Sequence, residues 1–160
     1  MGRRELISPA NGRKRQPVKN LYDKDYYAWV QGQVAALEHS DVAALDFAHL
    51  ADEVGDSGRS QKRAIRSDLG VLLLHLIKWT YQPERRKGGW ESSIIEHRDR
   101  LREELEDSPS LRGYAEGLLE DQYRKARRHA ADQMRRSARS IPEACPFTMR
   151  QLLDPDYWPK

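Results

Sequence analysis

Sulfur, long apolar runs and strand-like alternation are all scarce in this sequence. One cysteine, Cys145, stands in 160 residues, so an internal disulfide is excluded, and no Cys or His lies at zinc-finger spacing from it. Apolar runs such as Val71 to Leu74 fall far short of the ~20 residues that a membrane-spanning helix needs. The charged opening Met1-Gly2-Arg3-Arg4-Glu5 is not followed by the ~7–15 apolar residues of a secretory signal. These absences lead us to expect a soluble protein of a reducing, cytoplasmic compartment with no membrane contact. Glycines at 55, 58, 70, 88 and 89 form no phosphate-binding fingerprint, and no Gly-Lys-Ser or Gly-Lys-Thr occurs. Internal repeats and sustained heptads are also missing.

Charge is abundant and unevenly spread. Residues 1–20 carry Arg3, Arg4, Arg13, Lys14, Arg15 and Lys19 against Glu5, a balance of +5, whereas the other 140 residues hold 22 basic and 24 acidic groups. The net charge of +3 therefore belongs to the leader. With Pro9, Asn11, Gly12 and Pro17 and no helical period, residues 1–20 read as a basic extension, and residues 21–160 as a single helical domain.

Apolar spacing predicts an all-α helical bundle of about five helices with an irregular proline-rich tail. The first helix spans about Asp23 to His39, with Tyr26, Trp29, Val30, Gln33, Val34 and Leu37 on one side. A second, about Val42 to Val54, offers Phe47, Leu50 and Val54 to a core; Asp56-Ser57-Gly58 is expected to break it, with Ser60 capping a third helix that runs to Gln82. In the third, Ile65, Leu69, Leu72, Leu76 and Trp79 make one seam and Leu73, Ile77 and Tyr81 another, leaving Val71 and Leu74 outside both. The fourth, about Trp90 to Asp107, aligns Trp90, Ile94, His97, Leu101 and Leu105. Ser108-Pro109 signals a fifth that runs to about Ser137, with Leu111, Ala115, Leu118, Leu119, Ala126, Ala130 and Met134 inward. From Ile141 the tail has one possible turn near Thr148 to Leu153 and is read as strapped down by Phe147, Leu152, Leu153, Tyr157 and Trp158.

Several ordered signposts are shared with a known family. Leu21-Tyr22-Asp23-Lys24-Asp25-Tyr26-Tyr27-Ala28-Trp29, Leu50-Ala51-Asp52-Glu53-Val54, His75-Leu76-Ile77-Lys78-Trp79, Ser108-Pro109-Ser110-Leu111 and Cys145-Pro146-Phe147-Thr148 resemble the bacterial domain of unknown function 29. The resemblance covers about residues 20 to 159 and implies an α-helical bacterial protein, with no reaction, substrate or cofactor attached. Two departures touch candidate sites: Asp52-Glu53-Val54-Gly55 stands where the family tends to have Glu-Glu-Ile-Glu, and His97 where it tends to have glutamine.

Three constellations carry chemistry. A hairpin centred near Arg86 would bring His75 and His97 to one height, and a turn at Ser108 would bring Glu120 to that level; with Asp68 they form a candidate polar site. The alternative is a structural His75 hydrogen-bonded beside Asp68 and Trp79. Asp46, His49, Asp52, Glu53 and Asp56 gather on one helix and are read as a solvated acidic face, with metal binding or acid–base chemistry as the rival. Measured from a turn near Ser57, Glu53 and His75 lie about 21 Å apart along the axis, too far to share a metal. Arg124, Arg128, Arg135 and Arg139 fall on a common side of the fifth helix and, with the leader, are candidates for polyanions, although cations late in a helix also simply suit its dipole. Cys145 reads as a small buried group in place of a nucleophile. No catalytic set is complete, no metal ligand is assigned and no cofactor is implied. The expectation is a non-enzymatic interaction or regulatory module whose partner is a protein, itself or another, through Trp29, Tyr81 or the aromatic tail. A metal-dependent enzyme using His75, and nucleic-acid binding, are the alternatives.

Overall fold

The structure, a computed structural model, describes residues 21–86 and 88–160. Among these residues five α-helices follow one another: α1 Tyr26–Glu38, α2 Phe47–Tyr81, α3 Gly88–Asp107, α4 Arg112–Gln133 and α5 Met149–Leu153, linked by short 3-10 turns. No strand occurs among the described residues, and none of their helices is long and apolar enough to cross a membrane. The chain divides into two compact units, one ending at Asp56 and the other Ser57–Lys160.

One expected boundary is absent. Asp56-Ser57-Gly58 does not break the chain, and α2 runs unbroken for 35 residues with Ser60 in its interior. A lone glycine costs a helix only about 1 kcal/mol relative to alanine, and no proline enforces a stop. Heights reckoned from a turn near Ser57 therefore have no basis. Ser108 also departs from expectation: its side chain caps nothing and instead accepts from Gln61 Nε2 at 3.2 Å.

In the first unit the Asp25 carboxylate caps α1 by accepting from Ala28 N at 3.0 Å. Its helix ends in a left-handed Ser40, φ 55°, with Asp41 N bonded to Ala36 O and Ser40 N to Leu37 O, a closure that satisfies the last carbonyls. Burial here is sparse: Trp29, Gln33, Ala36, Leu45 and Asp46 are inside, while Phe47 and Val54 are 62% and 73% exposed. The expectation that Phe47 and Val54 enter a core is thus corrected.

The second unit has the dry interior that the spacing predicts. Ile65, Leu69, Leu72, Leu73, Leu76 and Ile77 of α2 are fully buried with Ile94, Leu101 and Leu105 of α3. Tyr123, Ala126 and Ala130 of α4 join them, with Ile141, Phe147 and Leu152 of the tail. Arg98 is the strut that straps this tail. Its buried guanidinium donates to the carbonyls of Leu152 at 3.0 Å, Pro155 at 3.2 Å and Tyr157 at 2.8 Å, and lies over the Trp158 ring. A buried cation is costly unless its donors are all used, and this one meets three carbonyls that would otherwise be unsatisfied. Arg127 does the same for Ile141 and Ala138, and α5 is closed by a Thr148–Gln151 capping box.

Candidate functional site

In the acidic constellation of the first unit Asp52 and Asp56 are exposed, His49 and Glu53 half-buried and Asp46 buried. Asp46 is buried and pairs through Oδ2 with His49 Nδ1 at 2.7 Å; its own backbone N–H donates to Gln33 Oε1 at 2.7 Å. The hydrogen bond with His49 holds the Asp46 carboxyl below its usual range against the opposing effect of burial. Trp29 Nε1 is buried without a hydrogen bond, yet close enough to Asp46 to add to that lowering. Glu53 is gripped by two phenols, accepting from Tyr22 at 2.7 Å and Tyr26 at 2.8 Å. Donating to that carboxylate pushes the Tyr22 phenol up to about 12 and raises Tyr26. Tyr22 in turn stacks on His49 at 3.8 Å and meets Trp29 edge-on at 4.9 Å.

These side chains occupy one another's space, and the result is a filled aromatic–carboxylate knot that locks the start of the chain's described part to α2. Asp52 is exposed and outside the knot's hydrogen bonds. What the knot leaves outward is apolar. Tyr27, Val34 and Leu37 of α1, Val42, and Phe47 and Val54 of α2 are all exposed. Residues 27, 30, 34 and 37 alternate steps of three and four, as do 47, 50 and 54, the spacing of a helix-packing seam. Only Glu38 carries charge among the thirteen residues of α1. Trp29, expected as an anchor, is 2% exposed and serves the interior.

In the second unit the polar constellation is rearranged. His97 Nδ1 pairs with Asp68 Oδ1 at 2.6 Å, and Lys78 lies 4.5 Å over the Trp90 ring. Both contacts centre the α2–α3 hairpin on Pro83 instead of Arg86, so His97 lies level with Asp68. His75 does not bond Asp68; its Nδ1 is buried with no partner. Desolvation, then Lys78 and His97, press its pKa below the ordinary imidazole value. Glu120 is drawn to the tail, accepting from Cys145 N at 3.3 Å. The four residues therefore do not converge, and no group of three or more His, Cys, Asp or Glu among the described residues is placed to hold a metal ion. Burial pushes the Cys145 thiol up to about 11, the wrong direction for a nucleophile.

The basic stripe is cut short. Because α4 ends at Gln133 and Arg135 turns left-handed at φ 54°, Arg135 and Arg139 leave the face that Arg124 and Arg128 share. Arg124 is paired with Asp121. Arg136, not singled out from the sequence, donates to Tyr81 O at 2.7 Å and so caps the end of α2.

The family model described as "Domain of unknown function DUF29" matches residues 21–158. No curated protein and no solved structure matches.

Proposed function

Since the chain belongs to the DUF29 family, whose description names no activity, we propose a function from the chain's own surface: a non-enzymatic module that associates with a second copy through α1 and the start of α2. The observation that carries this reading is where the large apolar side chains lie exposed. Among the described residues Tyr26, Tyr27, Val34, Leu37, Val42, Phe47 and Val54 belong to the first unit, and Ile95 alone to the second. A contiguous exposed apolar surface marks an association site, and lasting interfaces between like subunits resemble a core cut in half, poor in charge. With one charged residue in α1, this face offers no charge pattern to select a partner of either sign. It is complementary to a face as apolar as itself, which another copy supplies in the self-matching manner of a two-fold pair.

Sedimentation velocity over a hundredfold range of concentration tests the reading. The wild type is expected to move from monomer to dimer, and Val34→Glu/Leu37→Glu to stay monomeric with its helicity intact. A wild type that is monomeric throughout, or a dimer indifferent to the double substitution, removes it.

A further inference from the structure

A groove of about 330 Å³ lies between α2 and α4 in the second unit, a size at the lower end of ligand clefts, ~300–1,000 Å³. Its rim is built by two helices, Arg63 and Arg66 from α2 and Lys125 and His129 from α4. Each pair is one helical turn apart on its own helix. Arg66 reaches Tyr114, eleven residues before Lys125 on α4, and Gly70 lies beside Gln122, so the arginines stand at one end of the groove and Lys125 with His129 at the other. No carboxylate lines it. Arg66 is held in place by donating to the Tyr114 hydroxyl at 2.9 Å, whereas Arg63 and Lys125 have no ion pair among the described residues. Among the other cations of this unit, Arg98 and Arg127 are spent on tail carbonyls, Arg124 on Asp121 and Arg136 on Tyr81 O.

The floor is apolar. Val71 and Leu74, the two residues of the third predicted helix that fit neither core seam, lie here with Gly70 and Ala126. Gly70 keeps the floor low, since a Cβ there would come within 3.3 Å of Gln122 Oε1. Cations around an apolar floor suit a ligand with an anionic head and an apolar body. Arginine's planar fork favours phosphate, which it engages through two parallel N–H donors.

We propose that this groove binds a phosphate ester carrying an apolar group, the phosphate at Arg63 and Arg66 and the apolar part on Val71 and Leu74. The probe is 1-naphthyl phosphate, followed by its own fluorescence with the full chain, against inorganic phosphate as competitor. The ester is expected to bind at least tenfold more tightly than inorganic phosphate. Arg63→Gln/Arg66→Gln is expected to weaken it at least tenfold, and Val71→Ser to erode its advantage over inorganic phosphate. The double variant keeps the six cations of residues 1–20, so the leader contributes equally to both arms. Both substituted side chains are exposed, and an unchanged thermal midpoint checks that folding is intact. Absence of saturable binding, equal binding by wild type and the double variant, or equal affinity for inorganic phosphate would overturn the proposal. Preference for a short DNA duplex over the ester would overturn it too, assigning the cations to a nucleic-acid backbone.

Discussion

The same apolar spacing is used in the two units to opposite ends. In the second, steps of three and four along α2 carry Ile65, Leu69, Leu72 and Leu76 into complete burial. In the first, the same steps along α1 and the start of α2 leave Leu37 55% and Phe47 62% exposed, while the interior is organised around polar partners, Glu53 under two tyrosines and Asp46 under His49. Periodicity identifies a face that wants covering. It does not say whether the chain's own residues provide the cover.

The sharpest break of this comparison comes from truncating one leucine in each unit. Leu72→Ala opens a cavity in a close-packed interior and is expected to cost about 2–5 kcal/mol. Leu37→Ala, measured by denaturant unfolding at a concentration where the chain is monomeric, is expected to change stability by no more than about 0.5 kcal/mol. Similar losses at both positions would erase the distinction.

Acid separates the units by smaller amounts. His75 has a folded-state pKa below its unfolded value of 6.5, so the unfolded chain takes up its proton first. Its contribution is therefore present above that value and is lost as pH falls towards the folded pKa. Asp46, lowered from 3.8, keeps its contribution above its unfolded value and loses it only as pH falls through its own lower folded pKa. Wild type is expected to weaken relative to His75→Gln as pH is lowered from 7 to 5, followed by urea midpoints. Parallel profiles would show that His75 is not held neutral. A small effect of the opposite sign is expected at Gly58, where an added Cβ meets nothing within 4 Å; Gly58→Ala should raise the thermal midpoint through about 0.5–1 kcal/mol of helix stabilisation.

Much of the second unit was legible because its seams are long and strongly periodic. The tail anchors Phe147 and Leu152 and the turn at Thr148 were legible too, from apolar residues set among prolines. The unbroken α2 was not, because Asp56-Ser57-Gly58 is a local breaker signal whose cost is small beside the gain of propagating an existing helix. Arg98 had a signal that went unused. Ile94, Arg98, Leu101 and Leu105 follow steps of four, three and four, which places a cation at a core position. At the candidate sites, sequence spacing put His75 level with His97 and Asp68 beside His75; with the hairpin centred on Pro83 instead of Arg86, His97 takes the place of His75 as Asp68's partner. The Tyr22–Glu53 bond joins residues 31 apart, and nothing in local pattern announces such a pairing.

Hydrogen–deuterium exchange, read at two protein concentrations on either side of the association midpoint, tests the central claim most directly. Amides of residues 26–38 and 47–54 are expected to gain protection at the higher concentration, while those of 60–158 stay unchanged. Protection that rises in the second unit alone, or nowhere, would contradict the assignment of the apolar face of α1 and the start of α2 as the surface that a second copy covers.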